Sequence, residues 1–290
     1  MSQSPEALHI IPGYTCNLSC THCATLSGPT AKGRLSQQEV SSIKKYISDY
    51  QPQLIQFTGG EPTLFPEIIN EIIREHLDEG NTQIKITTNG WFTGSMASIQ
   101  STLPKILKID FLQLSWDKFH GSPLERQNIV RLKEYCLEKK ITFNISICIS
   151  DPKDLIEAEK ITGDLDLDIK YQRVSQAGRA KRNNITYQFK NFEESVLEKS
   201  CPGKNVMSYI PGKGWSTCCS NLTFNLDRPQ GLVTHASAEE HLASSFYQET
   251  HSMNFGEIIR NRKMSNLNFT PNDSMVCNLC EKIYSAEMSV

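Results

Sequence analysis

Cys16-Asn17-Leu18-Ser19-Cys20-Thr21-His22-Cys23 places three thiols in the spacing C-x3-C-x2-C within one short loop. Three thiolates in such a loop are enough to hold three irons of a [4Fe–4S] cluster. The fourth iron then lacks a protein ligand and can bind a substrate or cofactor. A structural metal site normally completes its coordination with a fourth protein ligand. A zinc knuckle is the plain alternative, but it accounts for nothing about Phe57-Thr58-Gly59-Gly60-Glu61-Pro62, a second stretch that otherwise reads as an ordinary strand-to-helix turn.

Around these two stretches, short apolar runs alternate with amphipathic segments. Strands are expected at 8–11, 54–58, 83–88, 111–115, 142–149 and 168–174. Ser36 and Glu39 form a capping-box pattern, and Val40, Ile43 and Ile47 follow at helical spacing. Ile68, Ile69, Ile72 and Ile73 mark the next helix, and residues 124–137 a later one. Six strand–helix repeats imply an α/β fold with a parallel sheet and right-handed crossovers. In such sheets the chemistry sits at the C-terminal ends of the strands. The cysteines follow the first strand and Gly59-Gly60-Glu61 the second, so both motifs fall on that rim.

Together the two motifs resemble the signature of the radical S-adenosylmethionine (SAM) enzymes. The resemblance implies a partial (β/α)6 barrel over residues 1–185, with a [4Fe–4S] cluster on Cys16, Cys20 and Cys23 and SAM on its open iron. It also implies that a reduced cluster cleaves SAM to a 5′-deoxyadenosyl radical, which abstracts a hydrogen atom from substrate. In that family the run matched by Gly59, Gly60, Glu61 and Pro62 binds the SAM amino group. Polar side chains at later strand ends take its carboxylate and ribose, and Asn89, Ser115 and Asp117 are the matching candidates. The plain alternatives are a turn at Asn89-Gly90 and a helix cap at Asp117. Arg173 can grip a carboxylate in a bidentate contact. Asn144, Ser146 and Gln172 are further candidates to face the cavity, and His22 reads as loop packing beside the cluster.

Beyond Gln176-Ala177-Gly178-Arg179-Ala180-Lys181-Arg182, a polar and basic connection, the periodicity weakens. Five of the ten cysteines lie in this last part: Cys201, Cys218, Cys219, Cys277 and Cys280. The run from Cys201 through Gly214 to Cys219 resembles the opening of the SPASM pattern, C-x(9–15)-G-x4-C. The small number of cysteines resembles its shortened twitch form, a domain over residues 186–290 with one auxiliary [4Fe–4S] cluster. The resemblance implies Cys201, Cys277, Cys280 and one of the vicinal pair as ligands; a zinc ribbon is the alternative. Pro211-Gly212-Lys213-Gly214 reads as the turn of a hairpin that delivers the pair. Neighbouring strand residues point to opposite faces, so one thiol of the pair is left over. Spacing favours Cys219 as ligand and leaves Cys218 free. Cys218 then reads either as a small buried hydrophobe or as a hydrogen-atom donor, resembling the radical SAM peptide epimerases. Cys136 and Cys148 read as core.

The net charge of −2 gives no electrostatic case for nucleic acid or a membrane surface. No apolar run approaches spanning length, and the N-terminus lacks a signal peptide's apolar core. Ten cysteines without a secretion signal argue for thiolate–metal chemistry in a cytoplasmic, oxygen-sensitive protein. Two functions compete. One is maturation of a ribosomally synthesised peptide, by epimerisation or crosslink formation. The other is oxidation or rearrangement of a small alcohol, sugar or amino acid. A non-enzymatic iron–sulfur or zinc protein is a third, opposed by residues 59–62. The implied partners are the substrate and a flavodoxin- or ferredoxin-type electron donor. The barrel begins within ten residues of Met1, so a peptide is expected to be held by the barrel mouth, by the C-terminal domain or by a separate leader-peptide-binding protein.

Overall fold

Alternating residues on six short strands build one sheet with an apolar and a polar face. In the computed structural model, which describes residues 5–77, 82–121, 125–227 and 229–285, Leu8, Ile10, Ile55, Phe57, Ile84 and Ile86 are at most 1% exposed. The intervening His9, Gln56, Thr87, Gln113 and Ser146 line a cavity on the opposite face. The chain order is β1 (Ala7–Ile10), α1 (Gln37–Tyr50), β2 (Leu54–Phe57), α2 (Pro66–Ile73), β3 (Gln83–Thr88), α3 (Met96–Thr102), β4 (Phe111–Ser115), α4 (Arg126–Glu138), β5 (Thr142–Ile149), α5 (Lys153–Thr162) and β6 (Asp168–Arg173). Strands β1 to β6 pair in sequence order, all parallel. The expected α/β architecture is the observed one, with strand limits within a residue of those read from the sequence. Leu124, the expected first residue of the α4 helix, lies outside the described residues.

Helix α1 shows how the sequence fixes an element. Ser36 and Glu39 make both arms of the capping box, and Val40, Ile43 and Ile47 form the buried stripe that packs on the sheet. Burying each of these side chains contributes roughly 1.5–3 kcal/mol relative to leaving it in water.

The second part begins with a short helix, α6 (Arg179–Arg182), followed by β7 (Val206–Ile210), β8 (Gly214–Ser216), α7 (Asn221–Asn225), α8 (Ala238–Ala243), α9 (Ser245–Ser252), α10 (Phe255–Asn261) and α11 (Val276–Ser285). Sequence reading missed the placement of β7, which pairs parallel to β1 with Ala7 opposite Val206. The sheet therefore runs β6-β5-β4-β3-β2-β1-β7-β8, across the expected boundary at residue 185. The Pro211–Gly214 turn is present as read: β8 returns antiparallel to β7. Gly214 has φ +92°, and a Cβ there would stand 2.2 Å from the His235 carbonyl oxygen. Trp215 of β8 packs on Tyr46 and Tyr209 in the barrel core. A second apolar core joins Phe246, Phe255, Ile258, Leu279, Ile283 and Tyr284.

His241 ties this hairpin to α8. Its Nε2 accepts the Thr217 backbone N–H at 2.9 Å, and its Nδ1 lies 3.1 Å from His235 Nδ1. Burial, and then the His235 charge, lowers its pKa to about 3. A base lowered by folding keeps its full stability above its unfolded value near 6.5 and loses it as the pH falls from there towards 3. At pH 5 the loss from His241 alone is about 2 kcal/mol, and His9, lowered to about 4 by burial and Lys85, acts in the same direction. Urea titrations at pH 7.5 and 5 measure this. Equal stabilities at the two values remove the assignment.

Candidate functional site

The cysteine loop leaves β1 and lies directly on the turn after β2. Gly60 donates its N–H to the Gly13 carbonyl at 3.1 Å and Glu61 to that of Thr15 at 3.0 Å. Contact is close enough to require glycine: a Cβ on Gly60 would meet the Thr15 oxygen at 2.3 Å, and Gly59 has φ +109°. One pocket at the C-terminal ends of the strands is lined by Cys16, Cys20 and Cys23 together with Glu61, Asn89 and Ser115. Gly59 and Gly60 complete its floor. Pro62 instead begins a short 3-10 turn beside it.

All three thiols are free. Cys16 Sγ accepts from Leu18 N at 3.4 Å and from Asn89 Nδ2 at 3.5 Å. Burial, then the neighbouring Cys23 and Cys16, pushes the Cys20 thiol up to about 12. Three converging sulfurs with N–H groups aimed at one of them suit a positively charged metal group that offsets the cost of buried thiolates. His22, the other metal-binding side chain of the loop, turns its Nε2 to Asp117 at 3.4 Å. The donor set therefore fits a cluster held by three cysteines.

Glu61 has a role that sequence reading did not foresee. Its Oε1 accepts from Thr63 N, Thr63 Oγ1 and Thr88 Oγ1, and its Oε2 accepts from Asn89 N. The side chain expected to meet the SAM amino group is thus engaged by the protein on both oxygens, and it locks the ends of β2 and β3 together. Burial raises its pKa, with these donors opposing.

Asp117 needs a similar correction. Its carboxylate accepts from Phe119 N, Cys148 N and His120 Nδ1, besides facing His22. It is the cap of a 3-10 turn, the plain alternative to a cofactor contact, and an anchor for two imidazoles. Burial would raise its pKa; the hydrogen bonds from His120 and His22 prevail and hold it well below the usual carboxylate range. The same turn grips the cysteine loop, since Thr21 N donates to the Phe119 carbonyl at 3.0 Å. Asp117→Asn cannot accept from both imidazoles. It should destabilise the fold by about 2 kcal/mol and speed iron loss to a chelator, followed by absorbance. Unchanged iron release would argue against the clamp.

The basic connection also belongs to this scaffold. Arg179 donates from its backbone to the Cys23 carbonyl and from its guanidinium to that of Ser27, while Lys181 pairs with Glu281 at 2.6 Å.

Beside the cluster pocket a larger cavity of about 670 Å³ opens at the barrel mouth. His22 and Cys23 line it from one side, Gln172 and Arg173 from another, and Cys219 and Cys277 from the C-terminal part. Cys148, expected in the core, also lines it, whereas Cys136 is core as read. Asn144 is buried and does not line the cavity. The signal for this cavity was present in the strands: His9, Gln56, Gln113 and Ser146 are the polar residues between apolar ones.

Cys201, Cys218, Cys219, Cys277 and Cys280 gather around a second pocket with apolar walls that include Leu222, Phe246 and Phe255. The two members of the vicinal pair have different surroundings. Cys218 packs against the second core with Cys280. Cys219 is exposed and lines the barrel-mouth cavity, which Cys218 does not.

Residues 10–139 match the radical SAM superfamily model, so this stretch carries a radical SAM domain. Such domains work with a [4Fe–4S] cluster and SAM. Among curated proteins, a probable GTP 3',8-cyclase of Sulfurisphaera tokodaii is 34% identical over 95 residues, 33% of this chain and 30% of that protein. Mycofactocin maturase MftC of Mycobacterium ulcerans is 32% identical over 80 residues, 27% of this chain and 20% of its own length. The matches thus span less than a third of these relatives. In fold the chain resembles native anSMEcpe with bound AdoMet and Cp18Cys peptide, with a TM-score of 0.55 at 16% identity over 98% of this chain and 96% of that one. It also resembles BtrN in complex with AdoMet and 2-DOIA, with a TM-score of 0.53 at 15% identity over 93% and 95%. Among the described residues, no helix is long and apolar enough to cross a membrane.

Proposed function

We propose that this protein is a peptide-modifying radical SAM enzyme that inverts a residue of a ribosomally synthesised peptide. The observation that carries the reading is one cavity lined both by the loop of Cys23 and by Cys219. Cys16, Cys20 and Cys23 are assigned to the SAM-binding cluster, and Cys201, Cys218, Cys277 and Cys280 to a second [4Fe–4S] cluster. When bound, SAM and its cluster supply hydrogen-atom abstraction. The chain supplies the rest. The Gly59–Glu61 turn and Asn89 shape the cofactor pocket, and Asp117 fixes His22 between two ligands. Cys219 returns a hydrogen atom to the opposite face of the substrate carbon. Its sulfur is left one electron and one proton short, and a flavodoxin- or ferredoxin-type donor together with solvent restores the thiol.

Two likenesses support a peptide substrate: one relative is named as a maturase, and anSMEcpe holds a peptide together with AdoMet in this fold. BtrN holds 2-DOIA in the same fold, so the test must separate a peptide from a small molecule. A thiol exchanges its proton with water. Turnover of a candidate peptide substrate in deuterium oxide should place one deuterium on the inverted carbon, read by mass spectrometry. A crosslinked or oxidised product without solvent deuterium rejects the epimerase reading.

A further inference from the structure

Arg173 ends β6 at the mouth of the large cavity. Its guanidinium carbon lies 4.7 Å from the Tyr187 ring centroid and 5.1 Å from that of Phe189. Packing against two rings steadies the guanidinium by cation–π contact and leaves N–H groups able to donate. Among the described residues, no carboxylate of the chain pairs with that edge, although other arginines have partners, as Arg126 has Asp164. The described lining of the cavity contains no Asp or Glu, and Arg173 is its one permanent charge. His9, also in the lining, is held neutral by burial. Hydrogen-bonding capacity elsewhere in the lining comes from neutral amides and hydroxyls such as Gln56, Gln113, Gln172 and Ser146. A cavity built this way offers a planar cation and, among its described lining, no carboxylate to pair with it.

We infer that Arg173 is the specificity-determining residue of this cavity and that it grips a carboxylate carried by the substrate. Arg173 does not line the pocket that joins Cys16, Asn89 and Ser115; it lines the larger cavity beside it. The planar fork matches a carboxylate in a bidentate contact. The substrate group is either an Asp or Glu side chain or a free peptide C-terminus. The inference rests on the cavity being the substrate site.

The test is protection of Arg173 from phenylglyoxal in the anaerobic, iron-loaded protein, scored residue by residue by mass spectrometry, with exposed Arg182 as internal control. Four probes are compared. These are a blocked alanine pentapeptide amide with a central aspartate, the same peptide with asparagine, N-acetylated pentaalanine with a free C-terminus, and SAM alone. At four times its Kd, a gripping carboxylate slows modification of Arg173 about fivefold and leaves Arg182 unchanged. Protection by the aspartate peptide assigns a side-chain carboxylate, and protection by the free acid assigns a terminal one. Equal protection by the asparagine peptide, protection by neither carboxylate, or full protection by SAM alone overturns the inference. Carboxylate protection without deuterium transfer in turnover would leave Arg173 assigned and retire the epimerase reading instead.

Discussion

Cys219→Ala should keep about eight irons per chain, two clusters of four, and still cleave SAM, yet transfer no solvent deuterium to product. Cys218→Ala should drop to about four irons and lose the order of the C-terminal helices. The contrast is large because the two thiols are adjacent in sequence but differently placed. Cys218 lies against the second apolar core with Cys280, whereas Cys219 opens to the cavity shared with Cys23. Loss of one ligand from a buried thiolate set leaves three crowded sulfurs without their compensating metal. Loss of a thiol at a cavity wall costs the fold little. Iron assay after anaerobic reconstitution and mass spectrometry of the product give both readings. Iron falling in Cys219→Ala and holding in Cys218→Ala would return the roles to those that spacing suggested.

Glu61→Ala should destabilise the protein by about 4 kcal/mol even without cofactor. The carboxylate accepts from four donors contributed by Thr63, Thr88 and Asn89 and is 1% exposed. Each buried donor left without a partner costs about 1–3 kcal/mol, partly relieved where water enters. Glu61→Gln should recover less than half of the loss, because its NH2 turns two donors towards donors already there. A ligand contact alone would behave differently: SAM affinity would fall about tenfold while the denaturation midpoint of the metal-free protein stayed put. That pattern would remove Glu61 from the scaffold.

Much of the barrel was legible because its strands follow a simple rule. Residues 83–88, 111–115 and 142–149 are strands to the residue, since apolar side chains alternate with polar ones and turns flank them. The two motifs at the strand ends were legible for the same reason, being loops at known places. Glu61 and Asp117 were not. Their partners sit on neighbouring strands, Thr88 on β3 and the Cys148 N–H on β5, and nothing local in the chain announces them. Strand alternation does not divide the vicinal cysteines, because β8 ends at Ser216, before either thiol. β7 escaped because it is buried from Met207 to Ile210 and shows no alternation to read.

The pairing of β7 with β1 sets a timetable for synthesis. Ala7 cannot meet its partner until Val206 has left the ribosome, which at 5–20 residues per second is a wait of roughly 10–40 s. Throughout that interval the nascent barrel presents one open parallel edge, carrying Leu8 and Ile10, to whatever else is in solution. Expression at lower temperature or with a holdase chaperone should therefore raise the soluble yield more than any change near the cofactor. A chain cut after residue 185 would keep that edge open for good.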